Sequence, residues 1–320
     1  MFMSEQRLAT DILIRPSEER DDVAFARLFS LLTSAPYDVQ ALRDRRKRYG
    51  ERRSTSLVAE LDGEVRGIAE LMDSGAVGNA FCRIVVQPEF RRKGIGSKLA
   101  ETLSGNPLFS AKKVFTQIRD DEPESLSFTE SLGFRRKAHV FESYIDPSKF
   151  EFQKFASFVE QIKSSGLRIT TLAELGVREE TLYKVWELEN ITDLEIPGLD
   201  PDQLPSWEDA KRAFYTAPWF KPEGEFLALD GGRFVGASAV AELAPGIWNV
   251  LHTCTLRDYR GRGIATGLKA LATQFAKEQG STLLKTNNHS ENEPMLSINR
   301  RFGFEPLPGW FELTKESQTQ

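Results

Sequence analysis

The 320-residue chain has few of the side chains that build metal centres and covalent cross-links, with only two cysteines and three histidines. The histidines stand at positions 139, 252 and 289, and no Cys/His spacing typical of a zinc site occurs. We therefore expect no metal. Cys82 and Cys254 lie in predicted core strands of different halves of the chain, so a disulfide between them is not expected.

Long apolar runs and an excess of basic charge are also missing. No run of 18 apolar residues occurs, and the N-terminal residues 1–7 lack the apolar core of a signal peptide. The net charge of −5 gives no electrostatic footprint for nucleic acid. We therefore expect a cytoplasmic protein without a membrane or nucleic-acid partner, as a monomer or homodimer. A chain of this length favours two domains of roughly 150 residues.

One motif occurs twice. Residues 253–265 read Thr-Cys-Thr-Leu-Arg-Asp-Tyr-Arg-Gly-Arg-Gly-Ile-Ala, and residues 84–96 read Ile-Val-Val-Gln-Pro-Glu-Phe-Arg-Arg-Lys-Gly-Ile-Gly. Aligning Arg91 with Arg260 gives an offset of 260 − 91 = 169 residues. In each copy a strand-like run passes through a basic, glycine-bearing turn into a helical pattern. Such a turn directs free backbone N–H groups at one point and can hold a diphosphate, although one copy alone is equally compatible with a plain helix start.

Two familiar phosphate loops do not fit these copies. Neither ends in the Gly-Lys-Ser/Thr of a P-loop, and neither has the third glycine and downstream acid of a dinucleotide fold. The remaining pattern, Arg-x-x-Gly-x-Gly/Ala between a strand and a helix, resembles the acetyl-CoA pyrophosphate loop of the GNAT N-acetyltransferases. A Gly-Phe pair follows each loop glycine, 39 residues after Gly94 and 40 after Gly263. Two motifs repeating in step predict tandem domains.

The element order supports the same resemblance. Hydrophobic periodicity in both halves predicts β-α-α-β-β-β-α-β-α-β, which indicates an α/β (α+β) fold with a mixed sheet and helices on both faces. We predict an N-terminal GNAT-like domain over 1–147, a connecting helix within 148–166 and a C-terminal GNAT domain over 167–320. The tandem arrangement is similar to that of the mycothiol synthases and of other bacterial two-domain acetyltransferases.

The resemblance implies an acyl-CoA site in each half. In GNAT proteins strands four and five splay apart, the cofactor arm lies along the main chain of strand four, and the loop N–H groups hold the pyrophosphate. The residues that take these roles in the first half are Val85, Val86, Gln87, Arg91, Arg92, Lys93, Gly94, Ile95, Gly96 and Ser97. Those in the second half are Cys254, Thr255, Leu256, Arg260, Gly261, Arg262, Gly263, Ile264, Ala265, Thr266, Asn288 and Asn292.

The second half resembles one bacterial GNAT subgroup more closely, through Thr286, Asn288, Asn292, Met295 and Asn299 before Gly-Phe. Asn292 matches a position whose side chain bonds the cofactor arm, with a plain helix cap as the alternative. The first half has Glu122 at that place, and an acid is a poor neighbour for a phosphate-rich ligand. We therefore expect the C-terminal domain to be catalytic, and the N-terminal domain to bind acyl-CoA or only to complete the substrate wall.

An amine nucleophile must lose a proton, so a base is expected within its reach. His252 on strand four and Glu242 at the end of strand three are the candidates, with a structural role as the alternative for each. Asp193 and Glu195, in a predicted acidic loop, are candidates for attracting a cationic amine, or belong to a solvated loop. The tyrosine that many GNAT proteins use as an acid is absent, so either the acid comes from elsewhere or coenzyme A departs as a thiolate.

The predicted function is that of an acetyl-CoA-dependent N-acetyltransferase acting on a small amine by direct attack in a ternary complex. No cysteine lies where a nucleophile would be needed, which disfavours a covalent acyl-enzyme. Two alternatives remain: a non-catalytic acyl-CoA-binding or regulatory protein, and a peptide or protein N-acetyltransferase. The sequence leaves the amine and the acyl chain length open.

Overall fold

The structure is a computed structural model that describes residues 11–32, 37–49, 53–74, 78–197, 201 and 204–316. Part of the predicted acidic loop, at 198–200 and 202–203, lies outside these residues. The described chain forms two compact units. Unit 1 contains the described residues up to 118 together with 122–137 and 312–316, and unit 2 contains 119–121 and 138–311.

The first repeat has the predicted order of elements. Its strands and helices, in chain order, are β1 (Leu13–Pro16), α1 (Asp22–Phe29), α2 (Val39–Tyr49), β2 (Ser54–Leu61), β3 (Glu64–Asp73), β4 (Asn79–Val86), α3 (Ile95–Ser104), β5 (Lys113–Arg119), α4 (Pro123–Ser131) and β6 (Arg135–Ile145). The predicted Asp-Gly hairpin joins β2 to β3, and both Asp62 and Gly63 have the positive φ that a tight hairpin turn needs.

A helix precedes the second repeat, within the predicted connecting segment. The remaining elements are α5 (Ala156–Ser164), β7 (Arg168–Thr171), α6 (Leu172–Leu175), α7 (Glu179–Asp193), α8 (Trp207–Ala210), β8 (Glu225–Asp230), β9 (Arg233–Ala244), β10 (Ile247–Thr255), α9 (Ile264–Glu278), β11 (Leu283–His289), α10 (Glu293–Phe302), β12 (Glu305–Pro306) and β13 (Trp310–Glu316). The predicted α/β fold and its tandem repeat are thus confirmed. No helix among the described residues is long and apolar enough to span a membrane.

Each unit holds a mixed sheet that is completed by a strand from the other repeat. The order in unit 1 is β1-β2-β3-β4-β5-β13, and the order in unit 2 is β6-β11-β10-β9-β8-β7. The strand predicted near 139–144 exists, but it pairs with β11 of unit 2, from Ile145 opposite Leu284 to Val140 opposite His289. The boundaries 1–147 and 167–320 therefore stay a prediction of where the repeats divide, whereas the compact units are not continuous in sequence.

The repeat offset of 169 residues extends to the packing between sheet and helix. A Cβ on Gly67 of β3 would lie 2.8 Å from Ile95 Cγ2 of α3, and a Cβ on Gly236 of β9 would lie 2.8 Å from Ile264 Cγ2 of α9. Both glycines let the helix that follows the loop approach the sheet closely. Since 236 − 67 and 264 − 95 both equal 169, the two units place their loop helices by the same contact.

Candidate active site

The fourth and fifth strands of each repeat open into a cleft. Parallel pairing of β10 with β11 runs from Ile247 opposite Leu283 to Val250 opposite Thr286, and it stops there although both strands continue. In unit 1, β4 and β5 pair only over Asn79–Phe81. The far ends of β4 and β10 therefore keep one backbone edge unpaired by their parallel neighbours. This edge includes Cys254 and Thr255, which were predicted to bond a cofactor arm.

The loop after each fourth strand presents backbone rather than side chains. Gly263 has φ 75° and Gly94 has φ 86°, both left-handed, at the residue just before the helix, and no side chain caps either helix. The loop arginine folds back onto the strand, since Arg260 Nε donates to the carbonyl of Thr255 at 3.1 Å. No side chain therefore stands between an anion and the first-turn N–H groups of either helix, and their binding of a pyrophosphate stays a prediction.

A bulge re-aims the side chains of β10 next to this cleft. The register with β9 shifts between Val250 and His252, so Leu251 is the extra residue, and His252 lies opposite Ala239. Ala239 in turn lies opposite Glu225 of β8. The small alanine side chain leaves room for the larger side chains on either side of it to meet.

His252 is held between two carboxylates. Its Nδ1 lies 2.8 Å from Glu189 Oε1 of α7, and its Nε2 lies 3.2 Å from Glu225 Oε1. The second contact falls short of hydrogen-bond geometry. The His252 side chain is 21% exposed and that of Glu225 only 5%. Glu189, His252 and Glu225 thus form one cluster of titratable side chains, the Glu189–His252–Glu225 cluster.

Burial and mutual charge shift the pKa values in the cluster. Desolvation alone would lower the pKa of His252, but Glu189 and Glu225 outweigh it and raise that pKa well above its usual value. Burial raises the pKa of Glu225, although His252 partly opposes this shift. Burial likewise raises the pKa of the Tyr215 hydroxyl, and the charges of Glu189 and Glu225 add to it. The cluster therefore retains a proton on the imidazole more firmly than an isolated histidine would.

The same three side chains offer ligand atoms within 4.8 Å of one another, a spacing that could hold a metal ion. When the imidazole of His252 carries its second proton, it offsets one of the two carboxylate charges without an ion. The expectation of no metal stays a prediction.

The other candidate base lies elsewhere. Glu242 is in register with Trp248, near the start of β10, whereas the loop follows the end of that strand. Its carboxylate accepts a hydrogen bond from the N–H of Gly246 at 2.9 Å, in the turn between β9 and β10. The structure does not bring Glu242 together with His252, because the direction of β9 carries it toward the opposite end of the hairpin.

The two acids that were predicted to share a loop, Asp193 and Glu195, lie in different surroundings. Asp193 is the last residue of α7 rather than a loop residue, and its pKa is raised by burial, with His252 and Glu189 close enough to contribute. Glu195 accepts from Arg257 Nε at 3.1 Å and also pairs with Arg260 of the loop. Asp193 thus joins the histidine cluster, whereas the charge of Glu195 is neutralised by loop arginines.

The two asparagines of the subgroup signature differ in their contacts. Asn292 Oδ1 accepts from the N–H of Met295 at 3.3 Å, so it caps α10 as the structural alternative proposed. Asn288 is buried, and its Nδ2 donates to Ser143 Oγ at 2.9 Å and to the carbonyl of Phe141 at 3.1 Å. Its Oδ1 accepts from Asn299 Nδ2 at 2.7 Å. Neither cofactor role is tested by these contacts.

Unit 1 carries different chemistry at the matching positions. In unit 1 one row of cross-strand neighbours consists of Ser56, Glu70 and Arg83. At the repeat offset of 169 residues, this row corresponds to Glu225, Ala239 and His252 of unit 2. Arg45 binds Glu70 through two hydrogen bonds of 2.8 and 2.9 Å. An arginine stays protonated and cannot act as a base at neutral pH.

The predicted acid in the first repeat also finds a partner. Glu122 Oε2 lies 3.0 Å from Arg91 Nη1, the first residue of the unit 1 loop motif. This ion pair joins the loop after β4 to the start of α4, the place where unit 2 has the neutral Asn292.

Sequence reasoning missed Glu189, Glu225 and Tyr215. Glu189 lies in a predicted helix, and the sequence does not tell which strand of the sheet this helix packs against. Glu225 could have been found by aligning the repeats at the offset of 169, since its counterpart Ser56 sits in the same row as Arg83.

Comparison with known proteins agrees with this architecture. The Acetyltransferase (GNAT) domain model matches residues 52–136, and the Acetyltransferase (GNAT) family model matches residues 188–304. The chain therefore belongs to the GNAT acetyltransferases, with two such domains in tandem, and is an N-acetyltransferase. Enzymes of this family use acyl-CoA.

Among these enzymes the chain is similar to mycothiol acetyltransferases along most of its length. It is 26% identical to the one from Actinosynnema mirum, over 81% of this chain and 83% of the relative. It is 25% identical to the one from Mycolicibacterium vanbaalenii, over 91% and 92%. A tandem GNAT protein from the clavulanic acid biosynthesis pathway shares the fold, with a TM-score of 0.59 and 18% identity over 97% of this chain and 100% of that chain.

Proposed function

We propose that unit 2 transfers an acetyl group from acetyl-CoA to a small amine by direct attack, with His252 as the base. The observation that carries the proposal is the Glu189–His252–Glu225 cluster, which lies at the bulge of β10 where the sheet opens. A base is needed here because an amine is protonated at neutral pH and its ammonium form has no lone pair with which to attack.

Different residues around the cleft would bind the cofactor, attract the amine and accept its proton. The unpaired edge at Cys254–Leu256 and the N–H groups of Arg262–Thr266 would hold acetyl-CoA, whose thioester supplies the acetyl group. Glu189, Asp193 and Glu225 make the surroundings of His252 acidic and would draw in a cationic amine. Glu189 fixes Nδ1, which leaves Nε2 as the nitrogen that takes up the proton. The neutral amine nitrogen then bonds to the acetyl carbon, and the carbon–sulfur bond breaks with its electron pair on the sulfur of coenzyme A. The further proton that the nitrogen loses as the amide forms passes to this thiolate, directly or through solvent.

Direct attack is favoured because the cysteine nearest this site is a poor nucleophile. Burial raises the pKa of the Cys254 thiol to about 11, so very little thiolate is present at neutral pH. Cys82 in unit 1 has its pKa raised to about 12 by burial. A covalent acyl-cysteine route therefore lacks its nucleophile.

The acceptor is proposed to be a small molecule, as the name of the mycothiol acetyltransferases implies for those relatives. The test is to measure thiol release from acetyl-CoA with a panel of amines that includes amino sugars, amino acids, polyamines and short peptides. Turnover with small amines is expected, with the acetylated amine identified by mass spectrometry. Tight binding of acetyl-CoA without turnover of any amine, or turnover of peptides alone, would contradict the proposal.

A ternary mechanism has its own signature. Initial rates measured at varied amine and acetyl-CoA should give intersecting double-reciprocal lines, and no acetylated protein should accumulate without amine. Parallel lines together with a covalent acetyl-protein adduct would instead indicate a ping-pong route.

A further inference from the structure

A lysine without a counter-ion lies inside unit 2. Lys269, in the second turn of α9, has no exposed surface. Its Nζ donates to Asn299 Oδ1 at 2.5 Å and lies 4.9 Å from the centre of the Phe304 ring. No carboxylate among the described residues pairs with it, and burial alone lowers its pKa to about 7. A buried ammonium group without an opposite charge is costly, so it is seldom kept without a use.

The lysine begins a chain of buried amides that passes through β11, a strand bordering the cleft, and ends on β6. Asn299 Nδ2 donates to Asn288 Oδ1 at 2.7 Å, and Asn288 Nδ2 donates to the carbonyl of Phe141. A carbonyl can only accept, so Asn288 must donate through Nδ2 to Phe141 and accept through Oδ1, which in turn leaves the Oδ1 of Asn299 facing Lys269. The chain ties α9, whose first turn faces the predicted pyrophosphate site, to β11 by way of α10.

Unit 1 shows that the fold does not require this lysine. The residue 169 positions earlier is Ala100. There a cavity of about 260 Å³, lined by Ala100, Ser97, Ser104 and Phe134 among others, replaces the lysine side chain. The same arrangement of strand and helices thus forms with a small apolar residue, which makes a purely architectural role for Lys269 a poor account of its charge.

We propose that Lys269 is a positioning residue of the unit 2 cofactor site: it orients Asn299 and Asn288 and takes up a proton when the anionic acyl-CoA binds. This inference rests on the proposed function, because it takes unit 2 as the place where acyl-CoA binds. The physical reason is that phosphate groups of the ligand supply the negative charge that the buried ammonium group lacks, which favours its charged form. The groups facing the amine from α10 and β11 are the amides of Asn299 and Asn288, which do not titrate.

The test is isothermal titration calorimetry of the full chain with acetyl-CoA at pH 8, in buffers of different ionisation enthalpy. The dependence of the heat on the buffer gives the number of protons taken up. We expect roughly half a proton or more for the unsubstituted protein, since Lys269 is mostly neutral before binding and mostly charged afterwards. Lys269→Met should lower the uptake by that amount.

Two further variants make the result decisive. Asn299→Asp keeps the lysine and gives it a permanent counter-ion in a side chain of the same shape, at the cost of the hydrogen bond to Asn288, so proton uptake should fall by the same amount. Lys277→Met removes a lysine near the C-terminal end of the same helix. Because Lys277 donates to the carbonyl of Phe150 and not to the buried amides, this change should leave the uptake unchanged. The histidine cluster is intact in all of these proteins, so its contribution cancels.

The outcomes separate the two proposals. Equal proton uptake in the unsubstituted protein and in either Lys269→Met or Asn299→Asp would overturn the role of Lys269 while leaving acetyl transfer untouched. Absence of acetyl-CoA binding in the unsubstituted protein would overturn the proposed function itself. If Lys269→Met fails to fold, Asn299→Asp alone decides.

Discussion

The two units share their framework but not their titratable groups. Both have the glycine contact that brings the loop helix onto the sheet, and both have opened fourth and fifth strands. At the same place on that framework unit 2 has His252 between two carboxylates, whereas unit 1 has Arg83 beside Glu70. The duplicated part is therefore the backbone framework of sheet, loop and helix, and the part that differs is the set of titratable side chains placed on it.

The largest expected effect comes from replacing the histidine that distinguishes unit 2 from unit 1. His252→Asn should lower kcat/KM for acetyl transfer by roughly 10²- to 10⁴-fold, because a general base contributes about that factor. The Kd for acetyl-CoA should change little, since the loop that holds it is untouched. Steady-state kinetics together with calorimetry would measure both quantities.

Glu242→Gln is the matched control, because Gln can still accept from Gly246 and the residue lies at the other end of the hairpin. Its activity should equal that of the unsubstituted enzyme. If Glu242→Gln lost activity while His252→Asn kept it, the assignment of the base would have to be reversed.

The second comparison concerns the residue at the start of α4 and α10. Asn292→Glu copies unit 1 into unit 2 and should weaken acetyl-CoA binding by roughly 10- to 100-fold, since like charges about 4 Å apart cost ~1–4 kcal/mol near a protein surface. Glu122→Asn is the reciprocal change, which frees Arg91 and removes the acid from the unit 1 cleft.

The effect of these two substitutions is measured as the number of acetyl-CoA molecules bound per chain in a calorimetric titration. We expect one acetyl-CoA per chain for the unsubstituted protein and a second, weaker site after Glu122→Asn. A stoichiometry of two before any substitution would show that the Arg91–Glu122 pair does not close unit 1.

Sequence alone predicts those parts of this comparison that depend on local conformation. The loop glycines, the Asp62-Gly63 hairpin and the helical periodicities are properties of short segments, and the structure has each of them. The fold class and the tandem repeat followed from the spacing of such segments. The histidine cluster did not follow from such segments, because Glu189, Glu225 and His252 meet only through the order of strands in the sheet and the packing of α7 against it.

Strand direction and strand exchange explain the remaining differences. Glu242 looked suitable because it follows strand three, but an antiparallel β9 places it at the wrong end of β10. The alternation of β6 predicted a strand without naming its neighbour, and that neighbour is β11 of unit 2. In both cases the missing information is long-range pairing, which short patterns do not contain.

A smaller effect concerns the pH dependence of unit 2. If His252 must be neutral to accept a proton, activity rises with pH through its raised pKa. Glu189→Gln removes one of the charges that raise this pKa, so the rising limb should move toward lower pH. The pH profile of kcat/KM measures the shift, and a limb that stays in place or moves toward higher pH would show that another group controls it.

The smallest expected effect tests the shared framework. Gly67→Ala in unit 1 and Gly236→Ala in unit 2 each force a methyl group against an isoleucine of the loop helix at 2.8 Å. Overpacking of this kind costs about 1–3 kcal/mol, so both variants should unfold at lower temperature. Because the close contacts are the same in both units, the two decreases in Tm should be similar, as measured by calorimetric melting. A clear decrease in Tm in only one variant would show that the two units depend unequally on this contact. In the other unit, the position of the loop helix would then have to be fixed by other contacts.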